Sequence, residues 1–307
     1  MAAFLAQRLA QAAGILLGVA VITFLLLHYL PADPAALIAG RSASAANIAN
    51  VRHQLGLDLS PLAQFWNYLL GLTRGDLGRS YIQRTDVAAL ILARIPATLL
   101  LMLAGIACEV ALGLAAGVLA AVYRNGVADR VVMMLAFVGV SAPQFLVALL
   151  LLYVFAGMLG WFPMSGFGTP AHIVLPALTL GLLGAGWYAR MVRSAMIEVL
   201  SQDYVRTARA KGLSAARVIL RHALPNAIGP IASVIAINLA YLIAGVVVVE
   251  VVFVYPGIGQ TMVDAVRNRD VPVVQACALI FAANYIILNL VADLVSIVSN
   301  PRLLHPR

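Results

Sequence analysis

The stretch IPATLLLMLAGIACEVALGLAAGVLAAV, residues 95–122, holds one charged side chain, Glu109. About 20 apolar residues suffice for a helix to cross the hydrocarbon of a bilayer, so this run can span with residues to spare. Its apolar character is continuous rather than alternating, which selects a helix over a barrel strand. Five further runs of the same kind lie at 9–30, 131–159, 173–195, 228–254 and 273–298. The 307-residue chain is 63% hydrophobic and 10% charged, whereas soluble domains are roughly 45–50% apolar and about a quarter charged. No single aqueous core could hide so much apolar surface. The expected fold class is an all-α polytopic membrane protein with six transmembrane helices.

Arg8 precedes the first run, which is too long for a signal-peptide core and has no small-residue cleavage site after it. An uncleaved first span is therefore expected. With the N-terminus inside, twelve of the twenty Lys and Arg residues fall on inside segments, and six of the others lie in the long loop 31–94. Long loops count little in the positive-inside rule, so the orientation read is N-in/C-in. The net charge of +8 invites a nucleic-acid partner, but the charges are scattered between apolar runs rather than gathered on a soluble face. Cys108 and Cys277 lie inside apolar runs and suit packing, not a disulfide framework or a metal site.

Pro143 interrupts the third run in SAPQF, and Pro176 falls early in the fourth. Both predict kinks compensated by neighbouring helices. Loop 31–94 contains PADP (31–34), LGLD (55–58), FWNYL (65–69) and RGDLGRSY (74–81). It predicts short amphipathic helices between turns, and a loop of that length is usually functional.

Residues 201–227 concentrate the positive charge. SQDYVRTARAK (201–211) reads as a helix, with Ser201 as N-cap and Asp203 in its first turn. Gly212 is a natural stop, Ser214 can cap a second helix over AARVILRHAL, and Pro225 and Pro230 bracket the start of the fifth span. Tyr204, Ala208 and Lys211 share one side of the first helix, near Val205, with Arg206 and Arg209 pointing outward. On this reading the small Ala208 admits a partner's backbone. A loop merely touching anionic lipid headgroups would explain the charge, but not the alanine-rich helix, the glycine break and the Leu-Pro exit.

An alanine-rich helix, a glycine, and a Leu-Pro pair after about eleven residues together resemble the EAA loop of ABC-importer permeases. Gly212 takes the family's glycine position and Leu224-Pro225 its terminal pair. Arg206 stands where glutamate is usual, Thr207 where alanine is, and His222 where isoleucine is. With those departures YVRTARAKGLS resembles the dipeptide/oligopeptide/nickel branch. LPADPA (30–35, with Ala32 replacing glycine), LGLD, RGDLGRSY, SAPQF, GWFPMSG (160–166) and VEVVFVYPGIGQTMVDAVRNRDVPVVQA (249–276) resemble further landmarks in family order.

The resemblance implies a type I ABC importer permease fold and a B-type subunit in a bacterial inner membrane. Its implied partners are a homologous C-type permease, one or two ATPases, an extracytoplasmic substrate-binding protein and membrane lipid, with no nucleic acid. It divides the chain into a first span (1–30), an extracytoplasmic loop (31–94), a five-helix core (95–300) with coupling loop 201–224, and a cytoplasmic tail (301–307). The ATPase-docking residues it implies are Tyr204, Arg206, Thr207, Ala208, Arg209, Ala210, Lys211, Gly212, Leu213, Leu224 and Pro225. Glu250, Pro256, Gly257, Gly259, Asp270 and Pro272 would shape an outer gate hairpin, with Asp270-Val271-Pro272 open also to plain turn chemistry. Asp33, Arg74, Gly75, Asp76, Gly78 and Arg79 would meet the binding protein. The cargo implied is a di- or oligopeptide, with glutathione, nickel, haem or an oligosaccharide as alternatives.

No phosphate loop ends in Lys-Ser or Lys-Thr, since the sole lysine, Lys211, precedes glycine, and the zinc-protease and nucleophile-elbow motifs are absent from the sequence. ATP and Mg would therefore be bound by partner ATPases, with no cofactor in this chain. Competing classes are an intramembrane enzyme, a channel conducting without ATP, and a secondary transporter. Glu109, Glu250 and Asp293 are the intramembrane acids, functional candidates by default but equally readable as polar bridges between helices.

Overall fold

The computed structural model describes residues 2–28, 34–40 and 43–299. Asp33, most of the PADP turn and the tail at 301–307 lie outside them. Among the described residues the regular structure is helical, apart from one isolated bridge between Arg79 and Asp86. Helix α1 is Ala2–His28, α6 is Ile95–Val122, α9 is Pro170–Leu200, α12 is Leu224–Val252 and α14 is Val271–Ser299. Four stretches are long and apolar enough to span: Ala6–Leu26, Val87–Val122, Pro170–Leu200 and Val271–Asp293. Helix α12, with 29 residues, is about 44 Å long at 1.5 Å per residue and covers the fifth run.

The third run differs from the expected kinked helix. Helix α7 (Val127–Ser141) ends before α8 (Gln144–Leu151), and the two segments meet at 109°. The cause is Pro143: its ring pushes the preceding residue out of the helical region, and both Ala142 (ψ 134°) and Pro143 (ψ 128°) are extended. The chain restarts and relaxes into a π-helical turn over Leu152–Met158. Pro176 behaves differently, since α9 runs through it without a break in assignment.

The chain forms two compact units, Met1–Thr98 with Pro256–Ile286, and Leu99–Tyr255 with Ile287–Arg307. In the first unit, α2 (Pro34–Ala39), α3 (Ala45–Gln54), α4 (Pro61–Thr73) and α5 (Val87–Leu92) occupy the long loop. Its apolar core joins α5, α13 (Ile258–Asn268) and the start of α14 through Val87, Ile91, Ile258, Val273 and Cys277. Phe24 of α1 packs against Phe65 of α4, with ring centroids 5.1 Å apart.

In the second unit α9 is central, with α7, α8 and α12 against it. Close approach is possible because small residues stand at the crossings. A Cβ on Gly186 would come within 2.5 Å of the Ala136 carbonyl oxygen. Tyr188, Val192 and Met196 fill the seam beside α6. Leu99, Leu103, Phe137, Phe145 and Leu149 remain exposed, a pattern suited to contact with lipid tails.

Candidate functional site

The coupling segment lies wholly in the second unit and is a compact knob. Helix α9 ends at Leu200, where Ser201 acts as its C-cap and donates its hydroxyl to the Glu198 carbonyl at 2.6 Å. Ser201 therefore closes the preceding helix, and the expected N-cap role falls to Gln202, which makes no side-chain cap bond. Helix α10 is Asp203–Ala210. Its exit is a Schellman motif: Gly212 N–H donates to the Arg209 carbonyl at 3.0 Å and Leu213 N–H to the Ala208 carbonyl at 3.4 Å. This turn requires Gly212 at φ +77°, and a Cβ there would meet nothing within 4 Å. The glycine is needed for its backbone, not for space.

Beyond the turn, the expected continuous second helix is a single turn, α11 (Ala215–Arg217), followed by a π-helical segment, Val218–Ala223. Ser214 holds the extended cap geometry but makes no side-chain cap bond. Leu224 and Pro225 then open α12, with Leu224 half-buried and Pro225 exposed. The π-helical register carries Val218 inward. There it meets Val205 (0% exposed) and Ala208 (6%), ringed by Val199, Leu200 and Leu213. Ala208 accordingly faces the knob's own interior, correcting the reading that it receives a partner's backbone. Its small side chain lets α10 lie close on Val218.

The outward surface belongs to Tyr204, Arg206, Thr207, Arg209, Ala210 and Lys211, all exposed. Arg217, Arg221 and Leu220 extend it along the second limb. Arg206 pairs with Asp203 at 3.2 Å, an exposed i,i+3 contact that contributes little to stability. The base of the knob is fixed by Ala223 and Ala227, which pack against α9 and α6 around Val192 and Ala121. Structurally, the site is a packed knob with a basic, partly apolar surface, rooted in two long helices.

Sequence reading missed a tie behind the knob. Arg193 on α9 donates Nε to Asp129 Oδ1 at 2.6 Å and Nη2 to Oδ2 at 2.7 Å, and the Asn125 N–H donates to Oδ2 at 2.8 Å. The planar guanidinium matches the carboxylate edge to edge. In the sequence Arg193 is one of the twelve inside charges, and nothing there pairs it with a residue 64 positions away. Reversing either charge alone should cut the amount of assembled protein in the membrane several-fold, and the exchange Asp129→Arg with Arg193→Asp should recover most of it. Equal loss in the exchange would show that the two side chains act through other neighbours and not through each other.

The first unit holds a second constellation. Asp270, 3% exposed, accepts from the Ser80 hydroxyl, from Tyr81 N–H at 3.0 Å and from Ile82 N–H at 3.4 Å. This is more than turn chemistry, because it fastens RGDLGRSY to the segment before α14. Burial, with the Asp270 charge beside it, pushes the Tyr81 hydroxyl up to about 12. Pro272 lies against Gly78, where a Cβ would stand 3.6 Å from its ring. Gly257 is the N-cap of α13, Gly259 lies in its first turn, and Ile258 N–H donates to Thr98 Oγ1 at 2.9 Å.

Of the residues expected to meet a binding protein, the five that are described, Arg74, Gly75, Asp76, Gly78 and Arg79, carry internal duties. Arg74 caps α4, Gly75 follows at φ +77°, Asp76 accepts from Gly78 N–H at 2.8 Å, and Arg79 donates to the Arg84 carbonyl at 3.1 Å. Glu250 belongs to the second unit, fully buried near the end of α12, where its carbonyl accepts from Tyr255 N–H at 2.8 Å. Pro256, Gly257, Gly259, Asp270 and Pro272 belong to the first. Asp293 is half-buried near the described end of α14.

Two family models match the chain. One, described as binding-protein-dependent transport system inner membrane component, covers residues 113–305, and the N-terminal component of the same system covers 1–102. The glutathione transport system permease protein GsiC of Salmonella typhi is 44% identical over 298 residues, 97% of each chain. That of Escherichia coli strain K12 is 44% identical over 283 residues, 92% of each. An inward-facing structure of the MetNI methionine ABC transporter matches with TM-score 0.57 at 20% identity, over 69% of this chain and 96% of that one. An amino acid ABC transporter solved with histidines gives 0.52 at 16%, over 68% and 93%. At those identities the solved structures speak to the fold alone.

Proposed function

The chain belongs to the binding-protein-dependent transport system inner membrane components, and from that premise we propose that its basic knob docks an ATPase and drives import of short peptides. It is a multi-pass permease subunit of an ABC importer in a bacterial inner membrane, working with further permease and ATPase subunits. The finer reading is a B-type subunit beside a C-type homologue, oriented N-in/C-in, each resting on an ATPase that binds ATP and Mg. An extracytoplasmic binding protein delivers the cargo. Among candidate cargoes, the relatives' name favours glutathione, itself a short peptide, over nickel, haem or an oligosaccharide.

One observation carries the docking assignment: the knob has its own apolar core of Val205, Ala208 and Val218 and joins α9 and α12 directly, so a push on it reaches two long helices. When ATP draws two ATPases together, a knob seated in one of them moves as a body. The long helices rooted in it then tilt, and the pathway between the paired permeases changes the side it faces. The loop around RGDLGRSY and Asp270 seats the extracytoplasmic binding protein.

Cysteines introduced one at a time at Arg209, Ala215 and Leu220, in a chain lacking Cys108 and Cys277, test the docking. These positions should cross-link to a co-purified ATPase, and cysteine at the buried Val205 should not. Absence of any nucleotide-hydrolysing partner from all three exposed positions would overturn the assignment.

A further inference from the structure

The second unit carries an open cavity of about 320 Å³ lined from α6, α7, α8, α9 and α12. Its polar lining is Glu109, Gln144, Trp187 and Asn238, and no basic side chain among the described residues lines it. Glu109 sits in the middle of α6, 3% exposed, and its Oε2 accepts from Asn238 Nδ2 at 3.0 Å. A carboxylate offers about four acceptor positions, so this single bond leaves most of its capacity unused. No hydrogen bond among the described residues holds the Gln144 carboxamide.

Missing side chains make room for these groups. A Cβ on Gly184 would stand 2.1 Å from the carboxyl carbon of Glu109, and one on Gly245 would stand 2.9 Å from Gln144 Nε2. The walls therefore admit a carboxylate and a carboxamide at mid-span, where an acidic side chain is costly without a purpose. Trp187 adds an aromatic ring, 40% exposed, of the kind that attracts a cation to its face. Carboxylate, carboxamide oxygens and indole together form a set that recognises a positive charge, and none of the described lining residues supplies one.

We propose that this cavity is a subsite for the ammonium group of the transported molecule. The proposal rests on the permease reading and adds the chemistry of one end of the cargo. At about 30 Å³ of liquid volume per water, the space holds roughly ten waters, ample for an amine and the residue bearing it. Glu109 would neutralise the charge, while Gln144 and Asn238 would replace part of its hydration shell. The shared chemistry is a primary ammonium, whether the amino terminus of a peptide or the end of a lysine side chain.

The test uses the assembled complex in detergent, with Cys108 and Cys277 replaced by alanine and Val140→Cys placed on the cavity wall. Reaction rates are measured for 2-aminoethyl methanethiosulfonate and its anionic sulfonatoethyl counterpart, each divided by its rate with a free thiol. The cationic reagent should be favoured by about tenfold, as in a cleft of one sign. Glu109→Gln should bring the ratio near unity and Glu109→Asp should keep it. Glycylglycine should slow the cationic reagent, and N-acetylglycylglycine should not. Protection by N-acetyl-lysine amide alone would assign the subsite to a side-chain amine. Equal normalised rates in the chain that retains Glu109, or protection by neither amine, would overturn the proposal without requiring any Glu109 variant to fold. Failure of the permease reading would appear separately, as a complex purified without ATPase.

Discussion

Replacing Gly212 with valine should lower retention of the ATPase on the purified permease about tenfold and abolish import, whereas asparagine should keep most of both. The Schellman turn holds residue 212 at φ +77°, a left-handed conformation that costs most L-residues roughly 1–2 kcal/mol and a β-branched one more, while asparagine visits it readily. Since 1.4 kcal/mol is tenfold in an equilibrium, strain alone accounts for the expected loss. Nothing lies within 4 Å of a Cβ at this position, so crowding inside the knob does not compete as an explanation. Valine should flatten the turn, withdraw Leu213 from Ala208 and unseat the small core around Val205. The checks are ATPase co-purification and transport in proteoliposomes. Equal loss in both variants would instead point to a partner surface pressed directly on the glycine.

The membrane class and the long apolar helices were legible because bilayer thickness imposes a length that composition alone reveals. The knob's outline was legible for a similar reason, since glycine and proline punctuate a chain locally. Its interior was not. Ala208 and Tyr204 share one side of α10 at a spacing of four, yet Ala208 is 6% exposed and Tyr204 45%. That contrast is set by where Val218 lands, and Val218 reaches the core through a π-helical segment whose register no simple period forecasts. Proline gave two outcomes from one residue type. Pro143 broke its helix sharply, and Pro176, packed inside a 31-residue helix, did not. The ties between Arg193 and Asp129, and between Glu109 and Asn238, span 64 and 129 positions. They are properties of helix packing, which a single sequence encodes without displaying.

Removing the Asp270 carboxylate should have the largest effect in the first unit. Asp270→Ala leaves a hydroxyl and two backbone N–H groups without their acceptor in a buried or half-buried place. Each orphaned donor costs about 1–3 kcal/mol, so the fastening of RGDLGRSY should weaken by about 3 kcal/mol or more on that same scale. Asp270→Asn preserves the volume but substitutes a donor for one acceptor oxygen, and should recover only part of the loss. Ser80→Ala removes the hydroxyl bond to Asp270 and the acceptor of the Gln83 N–H at 2.8 Å, but it leaves the Tyr81 and Ile82 amides on Asp270 and should be the mildest at those two amides. Exchange of the Tyr81 and Ile82 amides with deuterium should follow that order, because those amides are released as Asp270 is lost. The functional consequence separates the two units' roles. ATPase subunits should still co-purify with Asp270→Ala, since the knob belongs to the second unit, while stimulation of ATP hydrolysis by loaded binding protein should fall at least as steeply as amide protection. Full stimulation with unprotected Tyr81 and Ile82 amides would move the binding-protein seat away from this loop and leave Asp270 a purely structural anchor.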